Sequence, residues 1–553
     1  MDKGNGIVVL NTTEYIKKMS VILDDTKKFK KLDFNLNGNN HSYEKAPWCK
    51  KEKSVYSYIN KYIKPIVDDK VYFSLIPKGS QPGKMYGMAK HHKTGCPLRP
   101  VLSAIDTPEY GLCKWLEIQL KPLLKSKWII NSNIEFMDSL KTIKPKKGDV
   151  CRTFDIKSLY TCVPLEETIN MVADDVYSNE NLSVFTKSKI TKKVFKNILK
   201  TCSQSIFCFN NQVFKQIDGL SMGSPLAPLL ANWFVSKLET NLLNEIQPKM
   251  YTRYVDDIFT IFPNEEIANE FNQKLNTLHQ DLVFTMESNT SNKLPFLDIN
   301  VNLEENRFTT SIYKKPSNTD VLLNFHSCTP QSWKKNLIRQ LLIRNNRLVS
   351  EELQKHETNR IKNLLLRNSY PSNFINNEIE KLQKLEDKTQ TPKQQYLTIP
   401  YIKKVSEKFS RNIRKNLETI GIDIKVAFRT SKVGNYFSLK DKINKFYRSR
   451  IVYKFQCPGD LDTQYIGETE RQLFVRIKEH TKPTNSAVFA HIEKCRDCQN
   501  HNDIFNCFEV IKFCKNRNIL LAVEAIMIKK LKPKLNQQLG PDKGSRITLN
   551  IFK

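Results

Sequence analysis

Short apolar runs punctuated by turn residues fill positions 86–330, and apolar residues at helical spacing replace them from 333 onward. Strands are expected at 153–156, 205–209, 254–262 and 309–313. Ahead of them, residues 1–85 mix β-branched stretches such as Ile7-Val8-Val9-Leu10 with helix-like stretches. Between 333 and 382, Leu337, Ile338, Leu341 and Leu342 share one helical face, and Leu364, Leu365 and Leu366 continue it. The other faces carry Lys334, Lys335, Arg339, Arg344, Arg347, Arg360, Lys362 and Arg367, and Pro371 interrupts the block. Residues 383–397 are polar and proline-broken, which reads as a linker. A small basic connector follows at 398–448, with a helix at 404–417 that ends at Gly421 and a strand at 422–428. From Ile451 a compact α/β pattern restarts. No repeat of fixed period is present. The fold class expected from this order is α+β and multidomain.

Composition narrows the partners. The chain has 553 residues, 40% hydrophobic and 26% charged, within the range of globular proteins. A formal net charge of +31 makes a polyanion the first partner to consider, a basic face kept for solubility being the plain alternative. No run of about 18 apolar residues occurs, so no membrane partner is expected. Thirteen scattered cysteines, an odd number, fit a reducing compartment, cytosol or nucleus. Lys27-Lys28-Phe29-Lys30-Lys31 is a candidate nuclear signal or a solvated face.

Candidate chemistry concentrates at Tyr254-Val255-Asp256-Asp257, set between apolar stretches in RYVDDIFTIF. A bare Asp-Asp pair is usually a surface turn. Here two strands meet at a tight turn, and Asp155 ends another apolar strand in TFDIKSLYT. Adjacent carboxylates are costly unless a cation compensates them. Three on neighbouring strands can hold two metal ions about 3.5–4 Å apart, the arrangement for nucleotidyl transfer. Lys90-His91-His92-Lys93 with Pro97-Leu98-Arg99-Pro100 offers cations and a rigid segment suited to a triphosphate. The loop from Gly219 to Pro225, which includes Gly223, offers close backbone approach.

A second set lies near the C-terminus. Ile451-Val452-Tyr453 precedes Tyr465-Ile466-Gly467 by twelve residues, and Arg476, His480, Glu524 and Asn536 follow. A tyrosine can activate water, an arginine can stabilise charge on phosphate, and one glutamate can hold Mg²⁺.

The blocks KGNGIVVLN, KHHKTGCPLRPV, FDIKSLYTCVP, GLSMGSPLAPLLAN, RYVDDIF, LPFLDI and YKKPSNT resemble, in order and wording, the motif series of Penelope-like reverse transcriptases, relatives of telomerase. The resemblance covers about residues 1–330. It implies a right-hand polymerase with fingers and palm at 1–332 and a basic helical thumb at 333–382. Asp155, Asp256 and Asp257 would bind two Mg²⁺, and Tyr160 would gate against a ribose 2′-hydroxyl, a core tyrosine being the alternative. Lys3, Lys90 and Arg99 would face the triphosphate. Lys334, Lys335, Arg339, Arg344 and Arg347 would track backbone phosphates. Met222 stands where many reverse transcriptases have Gln before the glycine, so a hydrogen-bonding role there is not carried over. Because the chain opens almost inside the first motif, a truncated start or an internal methionine is expected.

Residues 451–537 resemble GIY-YIG nucleases, with Ile451 in place of the first glycine, a departure also typical of nucleases on Penelope-like elements. Tyr453, Tyr465, Arg476, His480 and Glu524 match the catalytic positions, with one Mg²⁺ on Glu524. Gly467 would allow close packing, and Asn536 would be structural. These nucleases often carry paired Cys and His. Here Cys457, His491, Cys495 and Cys498 are the set for a structural Zn²⁺, with His501 as a substitute and free thiols as the alternative. The 383–450 linker and connector would join the two units, and 538–553 would be a tail.

The function so implied is RNA-directed DNA synthesis from a primer made by the chain's own nick. Template RNA, primer and target DNA, and deoxynucleoside triphosphates would be the partners, and the nucleus the site of action after cytoplasmic synthesis. The rivals are a telomerase-like enzyme extending existing ends with an inactive nuclease, and a non-catalytic nucleic-acid-binding remnant.

Overall fold

The apolar run at 150–156 becomes an inner strand, Val150–Ile156, of a four-stranded antiparallel sheet. Its neighbours are Asp257–Phe262 and Phe284–Ser288, and Met250–Tyr254 forms one edge. Phe154, Ile156, Ile258 and Phe262 pack under helices that include Ala227–Glu245, while Cys151, Phe259 and Ile261 pack against Phe136 and Phe296 on the other face. Cover on both faces explains why these strands read as continuous apolar runs and not as alternation. This computed structural model describes residues 7–34, 36, 43–91, 93–178, 184–288, 293–304, 307–316, 318–383, 395–419, 421, 424–432, 436–437 and 440–536. Lys3, His92, most of the linker and the 538–553 tail lie outside the described residues.

A second sheet of five strands runs, in spatial order, Phe29–Leu32, Gln212–Gln216, Ile206–Phe209, Gly83–Ala89 and Leu98–Ser103. Gly83–Ala89 alternates buried and half-buried positions, as expected for a strand with one covered face. The β-branched run at 7–10 takes no strand position, and Ile7 and Val9 are exposed. Propensity without a pairing partner does not make a strand.

Three short strands, Lys293–Phe296, Ile299–Leu303 and Phe308–Ile312, lead into helices Gln331–Leu348, Glu351–Arg367 and Ser372–Gln383. Ile338, Leu342, Ile361, Leu365, Tyr370 and Ile375 form the core between these helices. Next come two parallel strands, Gln395–Pro400 and Ile424–Arg429, joined by helix Lys403–Glu418. The last unit is an antiparallel sheet with Ile451–Gln456 between Gln464–Thr469 and Phe508–Phe513. No helix among the described residues is long and apolar enough to cross a membrane.

The core of the last unit does not stop at residue 450. Tyr43 and Trp48 from the N-terminal part share one cluster with Phe446, Tyr447, Phe474 and Phe505. Tyr43 stacks on Phe474 and Phe505 with centroids 5.6 and 5.8 Å away, and Trp48 meets Tyr447 edge-on at 4.8 Å. Polar contacts close the seam. Glu52 accepts from the Ser80 amide at 2.8 Å and from Gln472 Nε2 at 3.1 Å, and Arg450 pairs with Asp106 at 2.5 Å. Gly79, at φ +64°, lets the chain approach: a Cβ there would sit 2.6 Å from the Glu470 carbonyl oxygen and from Ser449 Cβ.

Candidate active sites

The hairpin between Met250–Tyr254 and Asp257–Phe262 turns through two residues, Val255 and Asp256, because Tyr254 pairs with Asp257. Val255 holds φ +58°. Hairpin turns place glycine, asparagine or aspartate at that position, and a β-branched residue there is strained. The strain is held from behind. Arg253, fully buried, donates to the Val255 carbonyl at 3.0 Å and to Asn232 Oδ1 at 2.7 Å. Its charge is met by Glu239, also buried, at 2.5 Å, and Tyr251 donates to the same carboxylate. The Ile156 amide donates to the Asp256 carbonyl at 3.1 Å.

Asp155 lies directly across from Asp257 in the strand register, and Asp256 stands at the turn beside them. All three are partly exposed while the strands behind them are buried. Three carboxylates at one solvent-accessible corner are the donor type a divalent cation takes, although among the described residues it is the cysteine–histidine group below whose donor atoms are already gathered.

Tyr160 reaches this corner through a left-handed residue, Ser158 at φ +54°, which starts the short helix Leu159–Cys162. Burial raises the Tyr160 phenol above its ordinary range. The Asp256 carboxylate adds to the rise and the Arg99 guanidinium opposes it, which puts all three within electrostatic reach. Arg99 lies on Leu98–Ser103, opposite Met88, and Lys90 follows the paired strand. The Lys90 amide donates to the Pro97 carbonyl, closing the loop that holds His91.

The glycine loop ties the two sheets together. The Leu220 amide donates to the Tyr160 carbonyl at 2.6 Å, and the Leu102 amide donates to the Met222 carbonyl at 2.7 Å. Gly223 has φ +118°, and a Cβ there would lie 2.0 Å from the Leu102 carbonyl oxygen. The glycine is needed for contact with that strand.

Among the helical cations read as phosphate-tracking, several have partners inside the protein. Arg339 pairs with buried Glu378 at 2.9 Å, Lys335 approaches the same group at 3.8 Å, and Arg344 pairs with Asp298 at 3.0 Å. Lys334 donates to the Ser327 carbonyl at 3.1 Å and lies over the Phe325 ring. Arg347 is exposed.

In the C-terminal unit, Tyr453 is wholly buried on the central strand. Its hydroxyl lies 2.6 Å from His480 Nε2 and accepts from Arg476 Nε at 3.1 Å. Arg476 and His480 share one face of helix Leu473–His480. His480 Nδ1 lies 2.5 Å from Ser486 Oγ, so the ring bridges the phenol and the serine, one nitrogen donating and the other accepting. Burial, with the Arg476 charge, pushes the imidazole down to about 3, so it stays neutral. Burial raises Tyr453 well above the ordinary phenol range. Tyr465 is also raised by burial and senses Arg476 and Glu524. A Cβ on Gly467 would lie 2.6 Å from the Tyr453 hydroxyl. Glu524 is half-buried on helix Arg517–Leu531. Asn536 donates to and accepts from the Ile466 backbone, at 2.9 and 2.8 Å, and so fixes the strand to the chain beyond that helix.

Cys457, His491, Cys495 and Cys498 converge, with one donor atom of each within 4.8 Å of the others. Cys457 Sγ is 3.7 Å from both Cys495 Sγ and Cys498 Sγ. A disulfide would need about 2.05 Å. Tetrahedral zinc with bonds of about 2.3 Å sets sulfurs about 3.8 Å apart. His491 Nε2 is buried without a hydrogen-bond partner, the position of an unused ligand. Burial lowers that imidazole and the Cys498 amide lowers the Cys495 thiol, both toward the forms that bind metal, while burial raises the Cys498 thiol the other way. His501 accepts from the Asp503 amide through Nδ1 and stands outside the cluster.

Two supports escaped the sequence reading. Arg253 was visible as a charge three positions before the aspartate pair, and Glu239 as a carboxylate within a long, mostly apolar helix. Ser486 was visible as the polar residue before AVFAHI, where it also caps helix Ala487–Lys494.

Strand-borne carboxylates at a hairpin, flanked by an aromatic residue and an arginine, suit two-metal phosphoryl-transfer chemistry, of which nucleotidyl transfer is one class. Residues 112–293, which contain all three aspartates, match the family "Reverse transcriptase (RNA-dependent DNA polymerase)". The chain thus carries a reverse transcriptase domain within a mixed α/β, multidomain fold. Residues 321–380 match the "Animal helix-turn-helix domain". Among solved structures it is similar to telomerase from Candida albicans in complex with a TWJ fragment of telomeric RNA, at 13% identity over 61% of each chain and a TM-score of 0.37. It is also similar to apo telomerase from Candida tropicalis, at 15% identity over 60% of this chain and 62% of that one, with a TM-score of 0.34. A C-terminally truncated form of the latter gives 16% identity, 42% of this chain, 56% of that one and a TM-score of 0.31. The chain thus spans 56–62% of the length of these telomerase structures. No curated protein matches it.

Proposed function

We propose that this chain copies RNA into DNA from a 3′ end that its own C-terminal unit exposes, as a Penelope-like reverse transcriptase with a GIY-YIG endonuclease. The reverse transcriptase domain supports the first half of this reading. The second half is carried by one observation: Tyr453, His480 and Arg476 form a hydrogen-bonded set against Gly467 in the same chain. Template RNA, primer and target DNA and deoxynucleoside triphosphates are the substrates, and nuclear DNA is the target.

Asp155, Asp256 and Asp257 would hold two Mg²⁺ and Glu524 one. Bound Mg²⁺ supplies neutralisation of phosphate charge and a more acidic attacking hydroxyl. Arg99 grips the triphosphate, and Tyr160 excludes a sugar that carries a 2′-hydroxyl. In the C-terminal unit, burial keeps Tyr453 protonated. It can accept a proton from water only while passing its own to His480 Nε2; burial makes that imidazole a weak base, so the transfer needs the negative charge that develops on the phosphate. Arg476 holds the phosphate charge. Cys457, His491, Cys495 and Cys498 would hold Zn²⁺ that fixes the strand end at Cys457 to the segment after helix Ala487–Lys494.

The test is a pair of variants assayed for both activities. Asp256→Ala should reduce primer extension on RNA by several orders of magnitude and leave plasmid nicking intact. Glu524→Ala should stop nicking and leave extension of a supplied primer unchanged. Absence of nicking in the unmutated protein would overturn the endonuclease half alone.

A further inference from the structure

Residues 395–437 contribute no residue to either site. No hydrophobic side chain between Ile375 and Ile443 is buried among the described residues. Helix Lys403–Glu418 buries only Ser406 and Ser410. Those serines seat it against the strands: Ser406 Oγ donates to the Pro400 carbonyl at 2.8 Å and accepts from the Ile402 amide at 2.7 Å. Tyr401 donates to Glu407 at 2.8 Å and packs edge-on to Phe428. The unit is therefore ordered by local polar contacts and backbone pairing, and its larger apolar groups face outward. Tyr396 is 64% exposed, Phe409 53%, Tyr436 79% and Phe437 71%.

Charge surrounds these rings. Positions 395–437 hold nine Lys and Arg against three Asp and Glu. Among the described residues no ion pair engages any of the nine, whereas Arg339, Arg344 and Arg360 of the preceding helices are all paired internally. Lys404, Lys408 and Arg411 are exposed on the helix that carries Phe409.

We propose that this unit binds single-stranded nucleic acid, with Phe409 and Tyr396 as stacking platforms and the helix cations along the backbone. Unpaired cations select a polyanion. Exposed ring faces select unstacked bases, which a duplex does not offer and a single strand does. The inference rests on this unit's own residues and stands whether or not the C-terminal cluster cuts DNA.

The experiment measures binding of a labelled oligothymidylate and of a blunt RNA–DNA duplex to the full chain, by anisotropy across a salt series. Tyr396→Ala with Phe409→Ala should weaken the single strand about ten-fold or more, leave the duplex unchanged and keep the salt slope. Lys404→Gln with Lys408→Gln should flatten the salt slope for the single strand by about one to two units. Unchanged single-strand affinity in the ring variant overturns the proposal. So does equal loss for duplex and single strand, or an unchanged slope in the lysine variant. All four side chains are exposed, and circular dichroism checks that each variant remains folded.

Discussion

At the palm corner the reactive groups are charged and partly exposed, and the groups that hold them are buried. In the C-terminal unit the phenol and imidazole proposed to react are themselves buried and uncharged. The difference follows from what each set must carry. Three adjacent carboxylates cannot be withdrawn from solvent and cations without a large penalty. Rigidity is therefore supplied one layer back, by Arg253 and Glu239 under the strained Val255 turn. A neutral tyrosine–histidine pair has no such penalty, so burial can align it directly, and Gly467 leaves room for the phenol. Positioning by a hidden ion pair and positioning by burial of the reactive atoms are two answers to one requirement.

The comparison is broken most sharply by removing one oxygen. Tyr453→Phe should lower nicking by about 10²–10⁴-fold, the usual contribution of a positioned proton-transfer group, with primer extension unaffected. Equal nicking by this variant would mean that the buried phenol is a packing residue only.

Next in size is the hidden pair. Arg253→Met leaves Glu239 buried and unpaired, which costs about 3–5 kcal/mol. Denaturant unfolding followed by palm tryptophan fluorescence should register that loss. Replacing both, as Arg253→Met with Glu239→Leu, should recover much of the stability but not the extension rate, because the Val255 carbonyl has lost its donor.

Metal removal should separate the two regions. Chelation, or Cys495→Ser, should release about one zinc per chain by elemental analysis. It should also destabilise the C-terminal unit by about 3 kcal/mol if free zinc stands at one hundred times its Kd. A protein purified free of zinc that loses nothing on chelation would remove the metal from the description.

Smallest over any single pH unit is the response to pH. His480 has its proton affinity lowered on folding, to about 3 from the unfolded value near 6.5. The unfolded chain binds the extra proton between these values. The stabilisation is complete above about pH 6.5 and declines at roughly 1.4 kcal/mol per unit as pH falls toward 3. His480→Gln should remove that slope from thermal melts of the full chain.

Much of the polymerase corner was legible in the sequence because its signal is local. The aspartate pair sits within one hairpin, and Asp155 ends a strand whose apolar run is continuous. The helix expected at 404–417 appears as Lys403–Glu418 for the same reason, periodicity within one segment. What could not be read depends on distant segments meeting. The value of Arg253 lies in Glu239, on a helix that crosses behind the sheet. Lys335, Arg339 and Arg344 showed their charge but not the carboxylates that occupy them. The seam between Tyr43 and Phe474 joins positions more than four hundred residues apart, and no period or motif announces it.

That seam bears on how such chains can be recombined. Tyr43, Trp48 and Gly79 belong in sequence to the polymerase half, yet their side-chain and backbone demands are written by the last unit. Cutting at residue 450 to transplant the C-terminal unit would leave an aromatic face bare on each fragment, prone to self-association. A successful chimera has to bring both sides of the joint, so descent should pass these two halves on as a matched pair even where the intervening linker drifts freely in length.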